Sequence, residues 1–452
     1  MKKLKWVILA IVLLIVILGF YNYPKLTIIS GYSAKNMNSS VFLAGRSMEY
    51  TDAHDNGAPL VKLAKDVVDF NDRSTSASVF GLMNRKAVYR EGLGSVLINE
   101  DYDSHAPYLI PHRQQVNTGL AYPYGELPQK DTVFPEIDYK ALEKAVAAAF
   151  EETGEPAKNT RAVLVLYKDH IIAEKYADGF TKDSKLLGWS MTKSLVSTMY
   201  GVLVKEGRLA LNDPAPVAEW QNDERKKITI NNLLQMSSGL DWDEDYTTIS
   251  DVTRMLFLET DMTRSQINKE LLHEPGTFWK YSSGISNLLS GIMRKQFNTQ
   301  QQYLDFPYKT FIDKIGMYSM VLEADLSGHY VGSSYAWATP RDWAKFGLLY
   351  LHKGYWNGTQ VIDSSWVDYV TTPALNSNER YGGHFWLNAG GHMPDVPRDT
   401  FYADGFEGQR ILIIPSKTMV IVRFGLTEEG GADFNAMFSG ITDAVRTASD
   451  GL

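Results

Sequence analysis

Apolar and polar residues alternate differently along three parts of this chain. An unbroken apolar run from Trp6 to Phe20 opens it. Residues 24–70 then mix short apolar and polar segments without a strong period, as expected of a tether or an extension packed on a main body. Val79 to Leu97 predicts two short strands around Asn84-Arg85, and residues 98–135, rich in Tyr, Pro, His and Asp, predict a long loop. From about Ile137 the pattern becomes regular. Leu142, Val146 and Phe150 recur at helical spacing within Asp138–Glu152. Ala162–Tyr167 and Ile171–Tyr176 predict strands joined by a turn at Lys168-Asp169-His170. Ser190 to Gly207 is apolar with helical period. From about Leu209 to Gln300 the chain predicts helices with polar loops. Leu233, Leu234 and Met236 give one helix face, and Asn287 to Met293 give another. Pro340–Tyr350 predicts a helix with Thr339 as N-cap and Pro340 at the first position. Arg410–Ile414 and Met419–Phe424 predict a hairpin across Pro415-Ser416-Lys417, and Ala432–Ala448 a closing amphipathic helix. Strands therefore flank a helical middle. The expected class is α+β, an antiparallel sheet flanked by helices with an inserted helical lobe. The expected division is 1–23, 24–136 and 137–452.

The first run carries a location signal. Lys2, Lys3 and Lys5 precede it, and Leu4 with Tyr21-Asn22-Tyr23 extends it toward the length of a spanning helix. Gly19-Phe20-Tyr21 is a poor cleavage site, so an uncleaved signal anchor is preferred to a cleaved signal peptide and a secreted product. A buried core helix is the plain alternative. The lysines would stay in the cytoplasm and everything after about Tyr23 would lie outside it, periplasmic or extracellular. The membrane is thus one expected partner.

Composition narrows the chemistry. Of 452 residues, 44% are hydrophobic and 22% charged, which is enough apolar content for a large core. The net charge of −8, with no basic stripe, argues against nucleic acid. The absence of cysteine excludes disulfides, thiolate catalysis and thiolate metal sites. Aromatic residues, at 12%, could line a cleft, although most belong to a core.

Ser190-Met191-Thr192-Lys193 is the leading candidate for chemistry. Residues i and i+3 share a helix face, so the amine can lie beside the hydroxyl. A serine hydroxyl needs an adjacent base, and lysine serves once burial or nearby cations lower its pKa. An S-x-x-K occurs about twice by chance in a chain this long, so its company matters. Tyr281-Ser282-Ser283 follows a turn at Pro275-Gly276 and precedes a helix opened by Ser286-Asn287. Its phenol could relay protons, or could be structural. Ala403-Asp404-Gly405-Phe406-Glu407-Gly408-Gln409 enters the Arg410–Ile414 strand. It reads either as a glycine-rich turn or as a source of an oxyanion N–H to pair with that of Ser190.

In this order and spacing, the three elements resemble the serine β-lactamase and penicillin-recognising hydrolase superfamily over roughly residues 137 to 450. Leu233 to Leu240 and Ala336 to Gly347 resemble two further stretches of that family. The chain is most similar to the class C-like branch, in particular the 6-aminohexanoate-oligomer hydrolases and related esterases. Asp241-Trp242-Asp243-Glu244-Asp245-Tyr246, Tyr281-Ser282-Ser283 and Gly405-Phe406-Glu407-Gly408-Gln409 carry that likeness.

The resemblance implies a β-lactamase/transpeptidase-like fold and an acyl-enzyme mechanism without metal or organic cofactor. It makes Ser190 the nucleophile, Lys193 its base and Tyr281 the proton shuttle, with Phe406 giving the second oxyanion N–H. Trp242, Ser283, Asp404 and Gly405 are the implied substrate-binding residues. Two departures stand out. Relatives that act on lactams or cell-wall peptides carry Lys-Thr-Gly or His-Thr-Gly where this chain has Ala403-Asp404-Gly405. Losing a cation and gaining an acid would repel a substrate carboxylate. Trp242 also replaces a tyrosine of the nylon-oligomer hydrolases, removing a phenol. The expectation is therefore a membrane-anchored serine hydrolase of a small neutral ester or amide. Alternatives are a cell-wall D-amino-acid peptidase, carboxypeptidase or β-lactamase, and a non-catalytic sensor. The oligomeric state is left open.

Overall fold

A computed structural model describes residues 2–446, apart from residues 105, 153 and 155. The chain divides into two compact units. The smaller comprises residues 1–106, 243–262 and 325–327, and the larger the remainder.

In the smaller unit a long helix, Lys2–Phe42, and three short helical turns precede a four-stranded antiparallel meander: β1 (Ala64–Asp69), β2 (Ser74–Val79), β3 (Leu82–Arg90) and β4 (Gly94–Ile98). Of the tether and the packed extension expected after residue 23, the tether does not hold, because the helix runs through Pro24 to Phe42. This stretch is hidden from a hydrophobic-pattern reading, since Ile29 to Ser40 is buried on all sides apart from half-buried Tyr32, and Ser30, Ser33, Lys35, Asn36, Asn38, Ser39 and Ser40 are among the buried residues. Asn38 Nδ2 donates to Thr75 Oγ1 at 3.1 Å, and Ser33 Oγ donates to Asp66 at 2.7 Å. Nor does the chain turn at Asn84-Arg85, which lie inside β3. It turns at Phe80-Gly81, both at positive φ (53° and 74°). Part of the expected anchor lies outside the described residues: Met1 and the side chains at positions 2, 3, 10, 15–18 and 20–22. Among the described residues no helix is long and apolar enough to cross a membrane.

The larger unit is built on a six-stranded antiparallel sheet. Its order is Trp386–Leu387, Phe401–Gly405, Gln409–Ile414, Met419–Gly425, Thr160–Tyr167, His170–Tyr176. Alternation sorts the side chains. Val163, Val165, Leu412 and Ile421 join Leu142, Val146, Phe438 and Ile441 of the two terminal helices, Tyr139–Ala148 and Phe434–Asp443. Ile411 and Val420 turn the other way and meet Gly347 of the helix Pro340–Leu351. Thr339 caps that helix by accepting from the Asp342 N–H, as its sequence predicts. Met236 does not extend the Leu233-Leu234 face. The helix there stops at Leu234, and Met236 adopts φ +56°.

Candidate active site

Three connections converge on Ser190. The short strand Leu186–Leu187 pairs with Ala336–Ala338, and the Gly188 N–H donates to the Ala336 carbonyl at 2.8 Å. This carries the chain into a tight turn, Trp189–Met191, that runs directly into the helix Thr192–Lys205. Trp189 sits at φ +47°, a costly conformation for a bulky residue, at the step before Ser190. Trp343 packs beneath: a Cβ at Gly188 would come within 2.5 Å of its ring, so only glycine fits.

One turn later Lys193 is buried. Its Nζ lies 2.9 Å from Ser190 Oγ, 3.1 Å from Ser283 Oγ and 2.8 Å from the Ser333 carbonyl oxygen. That oxygen is held in place by its own residue, whose N–H donates to Asn287 Oδ1 at 3.0 Å. The three contacts serve both forms of the amine. As an ammonium it donates to all three. As a neutral amine it donates to Ser333 and Ser283 and accepts from Ser190. Nζ also lies 4.9 Å from the centroid of the Tyr281 ring.

Tyr281 therefore does meet the Ser190–Lys193 pair, from the segment before the helix Ser283–Arg294. That helix begins three residues earlier than Ser286, because Ser282 caps it by accepting from the Ile285 N–H. Tyr281 is framed by Trp386 (ring centroids 5.6 Å) and Tyr381 (6.0 Å). Across from them Trp189 meets Tyr335 at 6.0 Å and Phe406 at 5.8 Å, the latter edge to face.

The last-strand segment comes equally close. A Cβ at Gly405 would lie 2.2 Å from the Gly188 carbonyl oxygen, so the two backbones touch where the 405–406 peptide passes the Ser190 turn. Phe406 is 47% exposed, at the rim. The turn it enters is fixed from below. Gln409 Nε2 donates to the Phe406 carbonyl at 2.9 Å. Arg423 donates to the carbonyls of Glu407 and Gly408 at 3.1 Å each. Burial holds the Arg423 pKa down, to about 9.

Three of the residues expected to bind substrate are placed differently. Ser283 is buried beside Lys193 and serves the amine rather than the cleft. Trp242 is a core residue, 1% exposed. It packs so tightly on Gly284 that a Cβ there would approach its ring to 2.5 Å. The aromatic substitution that removes a phenol thus fills space beneath the Ser283–Arg294 helix. Asp404 does not present an uncompensated charge, since Arg410, directly opposite on the next strand, donates to it at 2.5 Å.

Several site residues carried no sequence signal. Ser333 acts through its carbonyl, which any residue possesses. Asn287 and His384 look like ordinary polar residues until the fold buries them. His384 Nδ1 bonds the Leu234 carbonyl at 2.7 Å and Nε2 bonds Ser286 Oγ at 3.0 Å. Burial, reinforced by the nearby Lys193, pushes its pKa down to about 3, so the ring is neutral. Its own carbonyl accepts from Ser194 Oγ at 2.8 Å, which ties it to the Lys193 helix. Tyr381-Gly382-Gly383-His384-Phe385-Trp386, a tight glycine pair between aromatics, is the one cue that was available.

Comparisons with known proteins bear on the family and the fold. The family model described as Beta-lactamase matches residues 146–445. A 6-aminohexanoate-dimer hydrolase of Paenarthrobacter ureafaciens is 27% identical over 291 residues, 58% of this chain and 72% of the relative. Protein flp of Staphylococcus aureus is 31% identical over 133 residues, 28% of this chain and 26% of that protein. Among solved structures, EstCE1, a hydrolase with promiscuous acyltransferase activity, superposes with a TM-score of 0.55 at 14% identity, covering 68% of this chain and 99% of that one. A family VIII carboxylesterase gives 0.54 at 16% identity, covering 70% and 98%. At these identities the superpositions establish the fold, which is the β-lactamase/transpeptidase-like α+β arrangement. The chain belongs to the beta-lactamase family and is a serine hydrolase of that family.

Proposed function

We propose that this protein hydrolyses a small neutral ester or amide through an acyl-enzyme on Ser190. The observation that carries the reading is the 2.9 Å approach of the buried Lys193 amine to Ser190 Oγ, with two further partners fixing the amine. Neutral Lys193 takes the serine proton as Oγ attacks the carbonyl carbon. The backbone N–H groups of Ser190 and Phe406 hold the oxyanion. Collapse of the tetrahedral intermediate breaks the bond to the leaving group, which takes a proton through Tyr281. Water then attacks the acyl-serine, and the reverse proton path frees the acid. The aromatic walls formed by Trp189, Phe406, Tyr281 and Trp386 favour an apolar acyl or leaving group. The reading extends to location. The helix from Trp6 anchors the protein in a membrane with the hydrolase outside the cytoplasm. In support, Trp6, Val7, Ile8, Leu9 and Ile11 to Leu14 are all exposed along it.

A fluorescent phosphonate tests the chemistry. It should label a single residue, Ser190, and an ester and amide panel should then show turnover with neutral substrates. Labelling that persists in Ser190→Ala would end the assignment. Labelling without any turnover would point to a sensor.

A further inference from the structure

The smaller unit presents a second apolar surface, at one end of its four-stranded sheet. Ala64 pairs with Val79 as the last pair of β1 and β2, and Leu63 and Phe80 are the residues immediately beyond it on the two chains. Phe80 and Gly81 form the two-residue turn between β2 and β3, and Val79 pairs with Leu82 across it. Phe80 is 76% exposed, and Leu60, Leu63 and Leu82 are also exposed. Four large apolar side chains thus crowd one rim.

The turn chemistry is unusual. Both central residues have positive φ, the geometry that favours Asn-Gly. Phenylalanine is a poor occupant of the first position, and the fold keeps it there with its ring in solvent. A side chain that costs local strain and covers nothing in its own core is suited to meeting something else.

The end of the sheet on which this rim lies is set by the helix. Phe42, at the helix C-terminus, meets Phe70 of the far β1–β2 turn at 5.7 Å. Asn38 bonds Thr75 near the start of β2. Leu26 and Ile29 cluster with Ala64 and Val79 at its end. Walking back along the helix therefore walks up β2 toward Phe80. The rim lies at the level of Leu26 and Ile29, on the side of the unit from which the helix continues back toward its exposed apolar residues, Trp6 to Leu9 and Ile11 to Leu14. Exposed Lys62 and Lys65 flank it. Lysines at such a border suit anionic headgroups, with their stems in the apolar layer.

We propose that Leu60, Leu63, Phe80 and Leu82 form a collar that dips into the lipid surface around the base of the anchor helix. The occupant is the bilayer interface, and the collar fixes how this unit stands on it. The proposal rests on the anchor reading given above.

The chain contains no cysteine, so single labels are unambiguous. Full-length protein is reconstituted in phosphatidylcholine–phosphatidylglycerol vesicles with an environment-sensitive NBD label at Leu63→Cys, Ile8→Cys or Asp72→Cys. Lipids carrying shallow doxyl quenchers report contact. The expected result is blue-shifted emission and strong loss of intensity at positions 8 and 63, with neither at 72 in the far turn. Adding Phe80→Asn should diminish quenching at 63 and leave position 8 unchanged. It should not lower the melting temperature, because Asn-Gly suits this turn. Leu60→Ser is a second variant with the same expected readout. Quenching at 8 without quenching at 63 overturns the collar and leaves the anchor standing. Quenching at neither overturns both. A blue shift at 63 without lipid quenching assigns the rim to a protein partner and overturns the proposal, as does equal quenching at 72.

Discussion

Arg410 and Asp404 face each other across adjacent strands, and the guanidinium Nε donates to the carboxylate at 2.5 Å. The acid that replaces the relatives' last-strand threonine therefore brings its own counter-ion. The preceding position, Ala403, is fully buried and offers nothing to a ligand. A substrate carboxylate would then find Arg410 already engaged, which supports the proposed preference for neutral substrates without invoking repulsion. Asp404→Asn should release the cation. The ratio of benzylpenicillin to p-nitrophenyl butyrate turnover should rise roughly fivefold over the wild-type ratio for about 1 kcal/mol of regained attraction in a solvent-reached site. The two kcat/KM values measure it. An unchanged ratio would mean that carboxylates are refused on shape.

Lys193→Arg should be nearly as harmful as Lys193→Ala. Arginine keeps the charge but cannot give up its proton in a protein, so it cannot act as the base. Loss of a general base costs about 10²–10⁴ in rate. Pre-steady-state acylation with an aryl ester reads the step directly. Near-normal acylation of the arginine variant would make Lys193 a fixed cation only.

Much of this was legible before the structure. Ser190, Lys193 and Tyr281 could be brought together from spacing and resemblance because their chemistry resides in their side chains. The strands around Lys168-Asp169 and Pro415 to Lys417 followed from alternation and turn residues. The misses share a cause. A motif position does not disclose where its side chain points, and so Trp242 and Ser283 were read as lining a cleft when each is buried. Asp404 was read without its cross-strand neighbour, which only register reveals. Ser333 holds the amine through a backbone atom. The helix after Pro24 hid because it is buried on all sides between Ile29 and Ser40 and is rich there in Ser and Asn, so no apolar stripe announced it.

His384 makes the acid side of the stability profile. Its ring is neutral in the fold, with a pKa pushed from 6.5 down to about 3 by burial. Between those values the unfolded chain binds the proton and the folded one does not. Stability is therefore intact above about pH 6.5 and falls as pH drops toward 3, by at most about 1.4 kcal/mol per pH unit from this group. Asp66, in the smaller unit, acts oppositely. Burial raises its pKa to about 6, so between 3.8 and 6 its contribution weakens as pH rises. Urea melts of wild type and His384→Gln from pH 7 to 4 separate the two, because Asp66 is common to both. The variant should start less stable, having lost the bonds to Leu234 and Ser286, and should show the shallower decline on acidification. Parallel curves would mean that His384 takes up its proton in the fold as readily as in the unfolded chain.

Arg423 is the last test, because it reaches the chemistry only through the backbone. Its guanidinium donates to the carbonyls of Glu407, Gly408 and Lys158 and to Thr160 Oγ1, the last two at 2.8 Å. Those bonds tie the turn after Phe406 to the strand Thr160–Tyr167. The N–H proposed to hold the oxyanion lies at the start of that turn, and Glu407 stays there in a left-handed conformation at φ +61°. Removing an oxyanion donor costs about 10²–10³ in kcat, and misplacing one by about 1 Å approaches that loss. Arg423→Lys keeps a charge but cannot reach four acceptors with three protons. It should lower kcat for aryl esters by about tenfold to a hundredfold while leaving KM nearly unchanged, since the ground-state carbonyl gains little from the donor. A phosphonate that mimics the tetrahedral intermediate should lose reactivity in proportion. The split matters more than the size of the loss. If KM rises and kcat holds, or if activity falls only as far as the folded fraction does, Arg423 is a structural cation and the Phe406 turn needs no such brace.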